Sequence, residues 1–288
     1  MIRSLLFVPG DSPRKFASAL RTTADALILD LEDSVALPQK AQARQETLAM
    51  LRSPEAAEAK KALFVRVNAL DTGFTLQDLA AVMPAAPFGV VLPKCSGGQD
   101  VATLSHYLDA FEAAAGLPAG QTRILGIATE TAASLFGLGT YSRVSPRLWG
   151  LMWGGEDLQA SLGSTTNQVA GRWTDPYRVA RSLCLAGAAA AGVEAIDTVA
   201  TDIRNLEALS AEALAARRDG FTGKAVIHPS HVDPVNQAFT PTAEEVAWAE
   251  RVVRAFSEQP NAGVVQMDGK MVDKPHLRAA QRILSARG

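Results

Sequence analysis

Polar residues close a series of short apolar runs in this sequence, and their types define a chemistry. Asp30, Glu32 and Asp33 follow the run at 26–29. Arg66 and Asn68 stand at the end of 63–67. Lys94 comes just after 89–92. Glu130 follows 123–127, Glu156 and Asp157 follow 148–153 and the pair Gly154-Gly155, and His228 follows 224–227. In this set acidic groups outnumber basic ones roughly two to one. Gathered carboxylates repel one another unless positive charge sits between them. A hard divalent cation supplies it, and Mg²⁺ typically takes one or two carboxylates plus water and substrate oxygens. Glu130 and Asp157 end successive runs and are the expected metal ligands. Arg66 suits a substrate carboxylate, because its planar fork binds one with two parallel hydrogen bonds.

Each residue also has a plainer reading. Glu130 serves equally as a cap for the helix after it, and Asp157 as the cap of a helix starting at Leu158. Glu32 and Asp33 read as an acidic helix start. Lys94 reads as a solvated lysine or an ion-pair partner, and His228 before Pro229 as structural. Arg14 and Lys15 form either a solvated helix face or, beside the first loop, a contact for phosphates.

The elements that must position these groups alternate in type. Strands are expected at 4–8, 26–30, 63–67, 89–92, 123–127, within 148–153, at 195–199 and at 224–227. These runs are apolar throughout, as in strands covered on both faces of a parallel sheet. Helices are expected at 13–21 (Ser12 as cap, Pro13 in the first turn), 39–51, 75–82, 99–115 with Gly116 as its stop, 132–138, 175–191 and 203–219. Eight strand–helix units with short connections predict a (β/α)8 barrel, the TIM-barrel class. Its polar strand ends would open into one mouth. An open doubly wound sheet lacks the glycine-rich phosphate fingerprint after the first strand. We expect the barrel to occupy 1–232. The remainder, 233–288, reads as a helix at 243–257 capped by Thr242, a loop over Gln259-Pro260-Asn261-Ala262-Gly263, a strand at 264–267, a tight turn at Asp268-Gly269 and a helix at 275–286. A barrel needs none of this, so the extension is expected to act as a lid or an arm to a neighbouring subunit.

Bulk properties narrow the function. Apolar residues make up 48% of the 288, enough for a sizeable core. A net charge of −2 with no basic cluster argues against nucleic acid and anionic membranes as partners. No run approaches the roughly 20 apolar residues of a membrane span. Cys95 and Cys184 are isolated, which suits a reducing cytoplasm.

Eight motifs occur in an order that resembles one family. They are Ser4-Leu5-Leu6-Phe7-Val8-Pro9-Gly10, Leu29-Asp30-Leu31-Glu32-Asp33-Ser34-Val35, Val65-Arg66-Val67-Asn68, Leu92-Pro93-Lys94, Ala128-Thr129-Glu130-Thr131-Ala132, Gly154-Gly155-Glu156-Asp157, Gly223-Lys224-Ala225-Val226-Ile227-His228-Pro229 and Asp268-Gly269-Lys270-Met271-Val272-Asp273-Lys274-Pro275. Together they are similar to the citrate lyase beta subunit-like proteins of the HpcH/HpaI aldolase group. The resemblance implies a (β/α)8 barrel assembling as a homotrimer. It implies a Mg²⁺-dependent aldol-type reaction on a 3-hydroxyacyl-CoA, yielding an acyl-CoA thioester and a 2-oxo acid. It implies Glu130 and Asp157 as metal ligands, Arg66 as carboxylate binder, and Glu32 and Asp33 beside the metal. It further implies Asp273 as an acid/base delivered to a neighbour's site, with Arg14, Lys15 and His228-Pro229 near the CoA phosphates and adenine. Trp153-Gly154-Gly155 departs from the Gly-Val-Glu-Asp type common in the family, so the acyl group is left open.

The rival readings are a class I aldolase using Lys94 as a Schiff base, a thioesterase on the same site, a non-catalytic acyl-CoA-binding subunit, and a citrate lyase subunit acting on an acyl carrier protein thioester.

Overall fold

The computed structural model describes residues 1–260 and 262–285. Asn261 of the expected loop and Ala286 of the expected last helix lie outside them. Eight parallel strands close into a barrel in the order β1-β10-β9-β6-β5-β4-β3-β2. They are β1 (Ser4–Pro9), β2 (Ala26–Asp30), β3 (Ala62–Arg66), β4 (Gly89–Leu92), β5 (Arg123–Ile127), β6 (Leu148–Met152), β9 (Glu194–Asp197) and β10 (Gly223–Val226). The intervening β7 (Gln168–Val169) and β8 (Arg172–Trp173) form a small antiparallel hairpin outside the barrel. The helices are α1 (Pro13–Leu20), α2 (Lys40–Leu51), α3 (Pro54–Glu58), α4 (Thr75–Val82), α5 (Gly98–Ala115), α6 (Glu156–Leu162), α7 (Asp175–Ala191), α8 (Leu206–Asp219), α9 (Val232–Phe239), α10 (Ala243–Glu258) and α11 (Lys274–Ser285).

Two apolar layers hold the barrel. Leu5, Ile28, Phe64, Val91, Leu125 and Ile196 fill its interior. Leu27, Val65, Val90, Ile124 and Leu151 alternate outward and meet the helices. This is the period-2 geometry of a strand with both faces covered. Each such side chain contributes about 1.5–3 kcal/mol on burial.

Some local expectations change. The segment after β5 is 3₁₀ over Ala133–Thr140 rather than α-helical. A Cβ on Gly137 there would sit 2.0 Å from the Ser96 carbonyl, so the chain passes too close to the β4 loop for a regular helix. Helix α8 starts at Leu206, not at 203, because the Asn205 side chain caps it by accepting from the Ala208 amide. Helix α3 and the β7–β8 hairpin have no counterpart in the sequence reading.

The C-terminal part has its own core. Ala249, Val252, Phe256, Val265, Val272 and Ala280 cluster apart from the barrel. Helix α10 opens with a full capping box between Thr242 and Glu245, the reciprocal arrangement that satisfies two free amides. The hairpin of β11 (Val264–Met267) and β12 (Lys270–Asp273) turns at Asp268-Gly269. Among the described residues no helix is long and apolar enough to cross a membrane.

Candidate active site

Strand ends place the polar residues at one mouth. Asp30 and Arg66 end β2 and β3 as direct neighbours in register. Arg66 donates from Nε to Asp30 Oδ1 at 2.7 Å and from Nη2 to Oδ2 at 2.8 Å. Its remaining Nη1 lies 2.8 Å from Glu32 Oε2 and 3.4 Å from Asp33 Oδ2. The Phe7 ring covers the guanidinium at 5.0 Å. Burial works to raise the Asp30 carboxyl, but Arg66 outweighs it and holds Asp30 below the ordinary range. The bidentate pair fixes the plane of the fork.

Glu32 is buried and bridges two cations. It accepts from Lys94 Nζ through Oε1, while its buried Oε2 makes no aligned hydrogen bond. Burial raises its carboxyl. Lys94 Nζ also lies 3.3 Å from Asp157 Oδ2 and 3.8 Å from Asp33 Oδ1. Burial works to lower the Lys94 ammonium, but these carboxylates raise it above its usual value. Lys94 is therefore a charged ion-pair partner and not a free amine.

Glu130 is 6% exposed and accepts from the Lys94 backbone amide. Burial pushes its carboxyl up to about 8, with Glu32 and Asp157 adding to the effect. Asp157 is half-buried in the first turn of α6, which begins one residue earlier with Gly155 as its cap. Asp157 is therefore not the cap of α6, and Ala132, not Glu130, holds the cap position of the 3₁₀ segment after β5. Glu156 beside it is exposed and accepts from Asn167 Nδ2 at 3.0 Å.

The structure brings Asp33, Arg66, Glu130, Asp157, Arg14, Lys15 and His228 onto the wall of one cavity of about 940 Å³. Glu32 and Lys94 pair at its edge. Arg14 and Lys15 are exposed on α1, at the outer end with His228. His228 accepts the Ser230 amide through Nδ1 at 3.2 Å. Asp273 is not brought there. It is exposed on β12, bonded to His276 Nδ1, whose hydrogen bond holds its carboxyl low.

The donor set fits a hard divalent cation. No three His, Cys, Asp or Glu groups converge as a complete cage among the described residues. Two carboxylates leave the rest of a coordination shell to water and substrate, which is the Mg²⁺ pattern, and a cation between them would favour the ionised form that burial disfavours at Glu130.

Four residues contribute in ways that the sequence alone does not show. Asp30 was one of the mouth residues, but its grip on Arg66 was not foreseen. Thr129, on the residue before Glu130, accepts from the Gly154 amide at 2.9 Å. Asp197 and Lys224 form a buried ion pair at 3.0 Å behind the mouth. A lysine inside the apolar run 223–226 was the available signal.

Comparison with known proteins places the chain in one family. Residues 3–229 match the family described as HpcH/HpaI aldolase/citrate lyase. Residues 180–287 match a second, described as C-C bond lyase of the TIM-barrel fold. The chain is 35% identical over 284 residues to citrate lyase subunit beta of Haemophilus influenzae, covering 98% of this chain and 95% of that one. It is 33% identical over 295 residues to the mitochondrial citramalyl-CoA lyase of Mus musculus, covering 98% and 85%. The crystal structure of Mycobacterium tuberculosis CitE with magnesium, acetoacetate and coenzyme A is similar at a TM-score of 0.77 and 34% identity, covering 99% of this chain and 97% of that one.

Proposed function

The chain belongs to the HpcH/HpaI aldolase/citrate lyase family, and from that premise we propose that it is a magnesium-dependent carbon–carbon lyase. Its substrate is a 3-hydroxyacyl-CoA of the malyl, citramalyl or citryl kind. The products are an acetyl-CoA-type thioester and a 2-oxo acid. The observation that carries this reading is the meeting of Glu130 and Asp157 with Arg66 on one cavity wall.

Mg²⁺ held by Glu130 and Asp157 would polarise the hydroxyl and carboxylate oxygens of the 2-oxo acid fragment and lower the hydroxyl pKa. Arg66 binds the substrate carboxylate, its fork pre-oriented by Asp30. Asp273 takes the hydroxyl proton as the carbon–carbon bond breaks and then returns it to the enolate carbon, giving the acyl-CoA thioester. In the reverse direction it removes a proton from the acyl methyl. Arg14 and Lys15 bind the CoA phosphates, and the His228-Pro229 segment borders the adenine. Glu32 and Asp33 hold Lys94 as an ammonium and balance the charge beside the metal ligands. A charged Lys94 forms no imine, which disfavours the class I route.

We assign the chemistry to 1–232 and the arm or lid to 233–288. Among the described residues of 233–288 none lines the cavity, so Asp273 is proposed to act in a neighbouring subunit of a homotrimer. Two free, buried cysteines suit the cytoplasm, where we place the protein.

The test is a screen of malyl-, citramalyl- and citryl-CoA with Mg²⁺, following glyoxylate, pyruvate or oxaloacetate, with an acyl carrier protein thioester as a further arm. Release of a 2-oxo acid from a CoA thioester supports the reading. Turnover restricted to the carrier protein thioester would redirect it to a citrate lyase subunit.

A further inference from the structure

Trp153 immediately precedes the turn that carries Asp157, and it is fully buried. Its Nε1–H donates to Asp197 Oδ1 at 2.6 Å. Asp197, 0% exposed at the end of β9, also accepts from Arg181 Nε and from Lys224 Nζ, each at 3.0 Å. Lys224, equally buried, lies 3.3 Å from Glu212 Oε1. That oxygen accepts from Trp173 Nε1 at 3.3 Å. Trp173 packs edge-on against Trp153, with ring centroids 4.9 Å apart. Trp153, Asp197, Lys224, Glu212 and Trp173 thus close a ring.

The ring grips the turn from behind. A Cβ on Gly155 would lie 3.0 Å from the Trp173 ring and 3.1 Å from Trp153. In front, Thr129 Oγ1 accepts from the Gly154 amide at 2.9 Å and donates to its carbonyl at 3.2 Å. A buried charge cluster is weak evidence for stability, since apolar replacement is often neutral or stabilising. What this cluster does supply is a fixed indole directly behind the site. Partners lying behind metal ligands orient them and tune affinity.

We propose that Trp153, anchored by Asp197, is a positioning residue for the cation site. The indole fixes the backbone from Gly154 to Asp157, and so sets the Asp157 carboxylate against Glu130. This rests on the reading of Glu130 and Asp157 as the metal ligands.

Trp153→Phe removes the indole N–H and keeps an aromatic ring. Trp149→Phe is the control: Trp149 lies four residues earlier, on β6, and packs on Phe64 at 5.3 Å, inside the barrel. The measurements are Mg²⁺ affinity of the full chain by calorimetry without substrate, and amide exchange across 154–157. Trp153→Phe should weaken Mg²⁺ binding about 10- to 100-fold and speed exchange there, while Trp149→Phe leaves both unchanged. Wild-type Mg²⁺ affinity in Trp153→Phe would overturn the positioning role alone. An equal weakening in Trp149→Phe would also overturn it, by showing general destabilisation. A wild-type chain that binds no Mg²⁺ would overturn the ligand assignment and this role together.

Discussion

Gly154 leaves no room beside Glu130: a Cβ at position 154 would sit 2.8 Å from Glu130 Cγ and 3.2 Å from Ile127 Cγ2. A glycine here is therefore a condition for the buried carboxylate to hold its place. Gly154→Ala should cost about 1–3 kcal/mol of stability through overpacking. It should also weaken Mg²⁺ binding about 10-fold or more as Glu130 moves. Thermal unfolding and calorimetric titration check the two parts separately.

The raised Glu130 carboxyl makes the metal-free protein pH-sensitive. Its folded value is about 8 against an ordinary 4.5. Between those values the folded chain holds a proton that the unfolded chain has released, so stability falls as pH rises through this window. Stability from this group is complete below the lower value and lost above the upper one. The thermal midpoint of EDTA-treated protein should drop more between about pH 5 and about pH 8 for wild type than for Glu130→Gln. With Glu130 proposed as a metal ligand, Mg²⁺ would displace that proton, and its affinity should rise with pH over the same range. Parallel pH profiles for the two proteins would contradict the assignment.

Arg66 is held by two bonds to Asp30, and Lys cannot reproduce that fork. Arg66→Lys should lower kcat/KM about 10²-fold by misplacing the substrate carboxylate. Arg66→Met should destabilise the fold by about 3–5 kcal/mol, because Asp30 is left buried without its partner. Steady-state kinetics and denaturant unfolding read the two effects.

Asp273 lies outside the cavity and accepts from the His276 amide at the start of α11, so Asp273→Ala should lower stability modestly through the lost cap and leave Mg²⁺ binding unchanged while nearly abolishing turnover. If the group acts in a neighbour, refolded mixtures of Asp273→Ala and Glu130→Gln should regain activity that neither variant has alone. Mixtures that stay inactive would place the proton transfer elsewhere.

The barrel was legible in the sequence because each strand is a short apolar run bounded by polar strand ends. The bounds of β2, β4 and β5 and of helix α7 coincide with expectation. Two-residue strands such as Gln168–Val169 are too short to show a period, and α3 has no apolar face to advertise it. At the site, Glu130, Asp157 and Arg66 stood out because strand-end position and charge coincide. The pairing of Asp30 with Arg66 and of Asp197 with Lys224 did not, because the partners lie 36 and 27 residues apart in sequence. The capping reading of Asp157 failed because the helix already starts at Glu156, with Gly155 at its cap position.

The central claim is that the mouth breaks a carbon–carbon bond and does so only with a divalent cation. The most direct measurement is product balance: EDTA-treated protein is given citramalyl-CoA with and without Mg²⁺, and pyruvate, acetyl-CoA and free CoA thiol are quantified together. The expected result is equal amounts of pyruvate and acetyl-CoA, no free thiol, and no reaction without Mg²⁺. Free thiol with intact citramalate, or undiminished cleavage in EDTA, would contradict it.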